Sequence, residues 1–223
     1  MGAALGMING WRQRLQEDVI LPRSERVSRE LLLPDPPEVL DFSKIFGNQH
    51  PLELEIGTGK GYFLTHAALQ NPMHNYLGIE IHRKYLKKAL DRVEKRPLPN
   101  VRLIYGEAFH FMEAFLPREC LTGLHIYFPD PWPKKRHHKR RLFSPEFLQL
   151  AHRVLKPGGL MLIATDHQDY WERICEVLEN QDFLVPCEAL PEPPEGAEGL
   201  TNYEIKYIQE GRPIHRAGYR RAS

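Results

Sequence analysis

From about residue 52 onward, apolar and polar positions switch between a period of two and a helical period, which predicts alternating strands and helices. Leu52–Ile56 is apolar with interleaved Glu and reads as a strand. The run Gly57-Thr58-Gly59-Lys60-Gly61 breaks it, and Phe63, Leu64, Ala67 and Ala68 follow at helical spacing. Tyr76–Glu80 reads as a second strand. The next helix carries Leu86, Ala89, Leu90 and Val93 on one stripe, with Lys84, Lys87, Lys88 and Arg92 largely elsewhere. Val101–Tyr105, Leu124–Phe128 and Gly159–Ala164 supply third, fourth and fifth strands, and a helix with Trp171, Ile174, Cys175 and Leu178 on one face comes next. Phe183–Val185 and Tyr203–Ile208 are weaker strand candidates. Such repetition predicts an α/β chain with a doubly wound, mostly parallel sheet and helices on both faces. Ligands of such sheets bind beyond the C-terminal strand ends, so the loops after strands are where chemistry is expected.

Residues 45–223 are read as one domain, preceded by an N-terminal arm at 1–44, partly flexible, with scattered Arg and the stretch Pro34-Asp35-Pro36-Pro37. No internal repeat is visible. The stretch Pro186 to Pro194 is a proline-rich acidic connector, either an ordinary surface loop or a lid. With 223 residues, 42% hydrophobic and 26% charged, the chain has the composition of a soluble globular protein. No apolar run approaches the roughly 18 residues of a membrane span. Cys120, Cys175 and Cys187 are odd in number and form no CxxC pair, so neither a disulfide framework nor a zinc site is expected. Met1 to Gly10 lacks a basic start followed by a long apolar core, and a cytoplasmic location is expected.

The formal charge of +1 conceals segregation. Residues 12–29, 134–141 and 212–223 hold 15 of the 30 basic residues and only Glu17, Asp18 and Glu25 of the acids. A basic surface on an acidic body follows, and the motifs decide what it binds.

Glu55-Ile56-Gly57-Thr58-Gly59-Lys60-Gly61 sits between a strand and a helix, where glycines permit a tight turn and the helix start offers free N–H groups. The G-x-G-x-G spacing fits neither the dinucleotide fingerprint nor a phosphate loop. Glu80, 19 residues after Gly61, ends the second strand where a carboxylate can accept from both ribose hydroxyls of an adenosine ligand. Glu107, after the third strand, is placed to accept from an adenine amino group. Glu55 ends the first strand, an expensive place for a charge unless it meets a cation or donor; a loop acceptor or helix cap is the plainer reading. Carboxylates would repel a pyrophosphate, so this set suits S-adenosyl-L-methionine, with its ammonium and sulfonium, better than NAD.

Tyr127-Phe128-Pro129-Asp130-Pro131-Trp132-Pro133 leads directly into Lys134-Lys135-Arg136-His137-His138-Lys139-Arg140-Arg141-Leu142. The prolines make the first part rigid and extended. Asp130, held between two of them, can accept from both N1–H and N2–H₂ of a guanine. Trp132 is either a stacking platform for a base or a packed indole. The basic run, six Lys/Arg and two His with no acid, reads as a phosphate cradle beside a base-sized pocket, against the plainer reading of a solvated face. No Cys or His has ligand spacing to the two His, so no metal is expected.

The stretch YFPDPWPKKRHHKRRL at 127–142 resembles the signature of the tRNA (guanine-N7-)-methyltransferases, and the resemblance extends through EIGTGKG at 55–61, GIE at 78–80, ATD at 164–166 and TNYE at 201–204. It covers roughly residues 45 to 221. Glu107 is a minor departure, standing where many members carry Asp or Asn. The resemblance implies a Rossmann-like methyltransferase fold with a seven-stranded sheet and an antiparallel last strand. It implies that Glu55, Gly57, Gly59, Gly61, Glu80, Glu107 and Asp130 bind S-adenosyl-L-methionine, with Asp130, between cofactor and guanine, also the catalytic residue. Lys134, Asp166, Thr201, Asn202, Tyr203 and Glu204 would contact the substrate. The reaction implied is methylation of N7 of the variable-loop guanine conventionally numbered 46, with tRNA as partner, S-adenosyl-L-homocysteine as product, and neither metal nor membrane. Monomer and homodimer stay equally open.

Guanine N7 has a free lone pair and no proton to lose, so a strong base is unnecessary and alignment carries the rate. A carboxylate beside the ring, Asp130 or Glu204, can stabilise the positive charge that arrives there. Asp166 reads as a base-orienting group or a helix N-cap. Arg212, Arg216, Arg220 and Arg221 read as an extension of the phosphate track or as frayed tail arginines. Two other functions compete: a methyltransferase of a small molecule, and a non-catalytic RNA-binding module with a decayed nucleotide pocket.

Overall fold

The computed structural model describes residues 19–187 and 201–222. Seven strands, β1 (Leu52–Ile56), β2 (Asn75–Glu80), β3 (Val101–Tyr105), β4 (Leu121–Tyr127), β5 (Leu155–Thr165), β6 (Leu184–Cys187) and β7 (His215–Arg221), form one sheet in the order β3-β2-β1-β4-β5-β7-β6. Neighbours from β3 to β5 pair in parallel, and β7 alone runs antiparallel, between β5 and β6. The expected seven-stranded sheet with its antiparallel last strand is thus present. The strand order reverses between β1 and β4, and a crevice opens at such a switch point.

The helices are α1 (Phe42–Phe46), α2 (Tyr62–Gln70), α3 (Arg83–Glu94), α4 (Ala108–Phe115), α5 (Pro145–Val154), α6 (Gln168–Glu179) and α7 (Asn202–Gln209). Two apolar cores flank the sheet. Phe63, Leu64 and Ala67 of α2 and Leu86, Ala89 and Val93 of α3 fill one, and Phe111, Phe147 and Ile174 of α4, α5 and α6 contribute to the other. Close approach is built in at Gly78 of β2, where an added Cβ would lie 2.3 Å from Leu64 Cδ1 and 2.7 Å from Leu103 Cδ2.

Two expectations are corrected. Tyr203–Ile208 is not a strand but most of α7, capped by the Thr201 hydroxyl, which accepts from the Glu204 backbone N–H at 3.0 Å. The T-x-x-E spacing of Thr201 and Glu204 starts a helix and outweighs the strand preference of Tyr and Ile. The last strand is instead His215–Arg221, whose arginines hide any apolar alternation. The pattern also passes over α4 and α5, although the Glu107 carboxylate and the Ser144-Pro145 pair mark their starts.

Part of the expected arm is integral to the sheet edge. Leu31 N donates to Leu103 O at 2.8 Å and Leu103 N to Arg29 O at 2.8 Å, covering β3 where it would otherwise present unpaired groups. Met1 to Asp18 and residues 188–200 lie outside the described residues; of the expected connector Pro186 to Pro194, only Pro186 and Cys187 are described, and they belong to β6. No described helix is long and apolar enough to cross a membrane.

Candidate active site

A cavity of about 370 Å³ opens at the C-terminal ends of β1 and β4, between the glycine loop and α7. Its lining includes Glu55, Gly57, Thr58, Gly59, Tyr127, Thr201 and Tyr203, with Lys60, Lys84, Lys88 and Lys206 around them. The volume is that of a small-molecule site. The loop is shaped by backbone conformations that side chains avoid: Gly57 has φ 72° and Gly61 φ 70°. An added Cβ on Gly57 would meet nothing within 4 Å, so that side of the loop stands open. On Gly61 it would lie 3.0 Å from Ala89 Cβ, so this glycine lets α2 begin tight against α3 and is turned away from the cavity.

The three expected cofactor carboxylates have different partners. Glu55 is buried and accepts from the Thr58 hydroxyl at 2.6 Å. Burial pushes its carboxyl up to about 8; the Thr58 bond opposes this and Glu80 adds to it. Glu80 accepts from Gly59 N at 2.9 Å and His82 N at 2.8 Å, tying the loop to the end of β2. Glu107 is exposed, outside the cavity lining, and caps α4 by accepting from Phe109 N at 2.9 Å and His110 N at 2.8 Å. A carboxylate carries about four acceptor sites, so Glu80 and Glu107 keep capacity for a ligand.

The proline motif leaves β4 under strain: Phe128 has φ 53° and Trp132 φ 44°. Bulky residues in that region cost about 1–3 kcal/mol each, and such outliers cluster at functional sites. Phe128 is held by Tyr203 and Tyr207 of α7, at ring distances of 6.2 Å and 5.4 Å. Asp130, between the two strained residues, is exposed. Burial, then Tyr85, Asp130 and Glu80, raise the Tyr203 phenol; the residue lines the cavity, and its ring packs against Phe128, two residues before Asp130. Trp132 is neither a bare platform nor a core indole: His137 meets its ring edge-on at 5.8 Å and the Arg140 guanidinium lies 5.0 Å from its centre. Lys135–Arg140 forms a 3-10 helix with Lys134, Lys135, Arg136, Lys139 and Arg140 exposed. Arg141 differs, for it donates to Pro131 O at 2.8 Å, pairs with Asp169 and covers Tyr170, fastening the loop to α6.

Several expected contact groups are engaged within the fold. Asp166 pairs with Arg212 at 3.0 Å, and the N-cap of α6 is His167 rather than Asp166. Glu204 is 1% exposed and turned inward to Arg216 at 2.6 Å. Arg220 donates to Gly158 O at 2.9 Å and Arg221 pairs with Glu119 at 2.8 Å, so the supposed frayed tail is a bonded strand. Lys134, Asp130 and Asp166 lie outside the cavity lining.

The model of a family described as putative methyltransferase matches residues 49–217. The tRNA (guanine-N(7)-)-methyltransferase of Alkalilimnicola ehrlichii is 39% identical over 183 residues, 82% of this chain and 77% of that one. Its counterpart in Nitrosospira multiformis is 38% identical over 199 residues, 87% of each chain. The chain belongs to the tRNA (guanine-N7-)-methyltransferase family. Solved structures share the fold: the 16S rRNA methyltransferase KamB superposes with a TM-score of 0.59 at 19% identity, covering 89% of this chain and 99% of that one. The aminoglycoside resistance methyltransferase NpmB1 gives 0.58 at 15%, covering 86% and 95%.

Within this family member, sequence reasoning missed two parts of the site. The lysines around the cavity come from three elements, and only Lys84 and Lys88, one turn apart at the start of α3, carried a visible signal. Tyr127 was read only as the first letter of the motif, yet it lines the cavity and is almost wholly buried.

Proposed function

We propose that this chain transfers the methyl group of S-adenosyl-L-methionine to N7 of a guanine in tRNA, the variable-loop guanine numbered 46. The observation that carries the reading is the position of Tyr203, which lines the cavity and packs its ring 6.2 Å from that of Phe128, two residues before Asp130 in the proline motif. Cofactor pocket and base site therefore adjoin.

The residues present fit a zwitterionic nucleoside. The open side of Gly57 leaves room against the backbone, and Glu55 is a buried acid with one hydroxyl partner named beside it, suited to a cation. Glu80 and Glu107 keep acceptor capacity for ribose and adenine, and the surrounding lysines suit a carboxylate. When bound, S-adenosyl-L-methionine supplies an electrophilic methyl group. Asp130 accepts from N1–H and N2–H₂ of the guanine and stabilises positive charge arriving on the ring. The strained turns at Phe128 and Trp132 fix that carboxylate before substrate arrives, so the chain contributes alignment rather than proton transfer. Lys134, Lys135, Arg136 and Lys139 take the phosphates beside the base. Thr201 and Tyr203, at the start of α7, complete the wall, and Asp166 holds Arg212.

The test is transfer of labelled methyl to unmodified tRNA. Signal is expected with guanine at position 46 and lost when that base is adenine; absence of transfer to any tRNA overturns the proposal. Asp130→Ala is expected to lower turnover by about 10²-fold or more while leaving S-adenosyl-L-homocysteine affinity intact. Turnover insensitive to salt would point to a small-molecule acceptor instead.

A further inference from the structure

The rim of the cavity carries more positive charge than a nucleoside cofactor uses. Lys60 of the glycine loop, Lys84 and Lys88 of α3 and Lys206 of α7 border it. Lys84 and Lys88 lie one turn apart on one helix face, and Lys87 sits beside Lys84 at the i, i+3 spacing. Arg92 continues the row by another turn; it donates to Lys60 O at 3.0 Å, and its guanidinium lies 5.4 Å from the centre of the Tyr62 ring. The glycine loop is thereby tied to α3, and Lys60 stands next to the row. Lys60, Lys84, Lys87 and Lys88 are all exposed.

Within the fold this arrangement is unfavourable. Like charges at i, i+3 and i, i+4 repel, and cations in the first turn oppose the helix dipole; α3 has no acid in its first turn. The cations and acids nearby are engaged with one another. Arg83 pairs with Glu30 at 2.6 Å and lies 4.0 Å from the centre of the Tyr105 ring. Asp91 pairs with Lys95 and with Arg26 at 3.7 Å, and Glu94 accepts from Arg29 N at 3.0 Å. Among the described residues no acid pairs with Lys60, Lys84, Lys87 or Lys88. The cofactor accounts for one of these charges at most, since its amino-acid end carries a single carboxylate. A surplus of unpaired cations around one opening suits a polyanion. Tyr62 and Tyr85, half-buried on the same rim, set aromatic rings among the lysines, the mixture that holds the backbone and bases of an unpaired strand. The topology puts this part of the rim across the cavity from the motif helix: β2 and β4 flank β1 on opposite sides, α3 follows β2, and the proline motif follows β4.

We propose that the glycine loop and the start of α3 form a second RNA-binding surface, where Lys60, Lys84 and Lys88 take backbone phosphates of the strand that carries the target guanine, on the flank of the cavity opposite Lys135–Arg140. The proposal rests on the methyltransferase reading above. The strand then straddles the cavity mouth and is held on both sides, which fixes one base over the opening.

The test separates phosphate from carboxylate. Filter binding of unmodified tRNA over a range of salt concentrations, without cofactor, reads the first; calorimetric titration with S-adenosyl-L-homocysteine, which keeps the carboxylate, reads the second. The double variant Lys84→Gln, Lys88→Gln is expected to reduce the slope of log affinity against log salt by about 1.4–1.8, the release of two counterions, and to leave S-adenosyl-L-homocysteine affinity within about twofold. That retained affinity also reports a folded variant. Lys84→Arg with Lys88→Arg should restore the wild-type slope. An unchanged slope in the glutamine variant overturns the proposal, and a fall in S-adenosyl-L-homocysteine affinity alongside it would give the lysines to the cofactor carboxylate. Combined with Lys135→Ala, the glutamine pair should lose slope additively; a combined loss no larger than that of the pair alone overturns a strand held on both flanks. A wild-type chain that binds no tRNA overturns the methyltransferase reading itself, whereas wild-type binding with an unchanged slope in the variant overturns only this proposal.

Discussion

Glu53 and Glu55 stand two residues apart on β1, on the same face of the sheet, 1% and 4% exposed, and hold opposite charge states at neutral pH. Burial penalises both alike. The imidazoles of His74 and His125 repay Glu53 and hold it ionised, whereas Glu55 has a Thr58 hydroxyl and the repulsion of Glu80, and is pushed up to about 8. The difference separates two uses of a buried acid. One has its hydrogen-bond partners within the fold and serves the architecture; the other stays largely neutral until a cation arrives in the cavity. The largest effect expected from breaking this contrast is on stability. Glu53→Ala leaves His125 buried without its acceptor and should cost about 3–5 kcal/mol in denaturant unfolding. The cost should depend on pH. The Glu53 contribution is present above about 4.5 and lost as pH falls through its lowered value; that of His74, raised chiefly by its Glu53 bond, is complete below about 6.5 and lost as pH rises through its raised value. The gap between wild type and variant is therefore widest between about pH 4.5 and 6.5. A gap that does not change with pH would show that packing, not the ion pair, carries the loss.

The second expected effect belongs to Glu55. Its folded carboxyl titrates near 8 against an ordinary 4.5, so between these values the native state holds a proton that the unfolded state has lost. Stability must then fall as pH rises through that window, by about 1.4 kcal/mol per pH unit at most. Glu55→Gln removes the titration, so wild type should lose stability against the variant from pH 5 to 8 and no further above it. The same variant should bind S-adenosyl-L-homocysteine with less proton release, measured by calorimetry in buffers of different ionisation enthalpy. An unchanged proton count would place the cation elsewhere.

The alternation L-E-L-E-I showed that both glutamates share a face, and the end-of-strand position singled out Glu55. It could not show their fates, because the partners of Glu53 come from His74, 21 residues away, and His125, 72 residues away. Strand–loop–helix units were legible because their periods are local: β1 through β3, α2 and α3 fall close to where the pattern puts them. What was illegible depended on distant pairing. β7 reads as a string of arginines until Arg216 meets Glu204 and Arg221 meets Glu119. α7 was missed although Thr201 and Glu204 announce it, because aromatic and β-branched residues outvoted a four-residue cap. Asp130 and the rigid prolines on either side of it were legible since rigidity there is written in the residues themselves.

The same criterion, partners inside the fold or none, divides the basic segments, and here the expected effect is smallest. Lys135 and Arg220 are both exposed cations in runs that look equivalent along the chain. Arg220 is anchored on Gly158 O at 2.9 Å, in a strand held on both sides, whereas Lys135 projects from the short helix beyond the proline motif. If phosphates are gripped there, Lys135→Ala should weaken tRNA binding a few-fold and reduce the slope of log affinity against log salt by about 0.7–0.9, the release of one counterion. Arg220→Ala should leave that slope unchanged. Filter binding at several salt concentrations distinguishes the two. Equal slopes for both variants and wild type would remove the motif helix from the RNA path, and equal losses would extend that path to β7 despite its internal bonds.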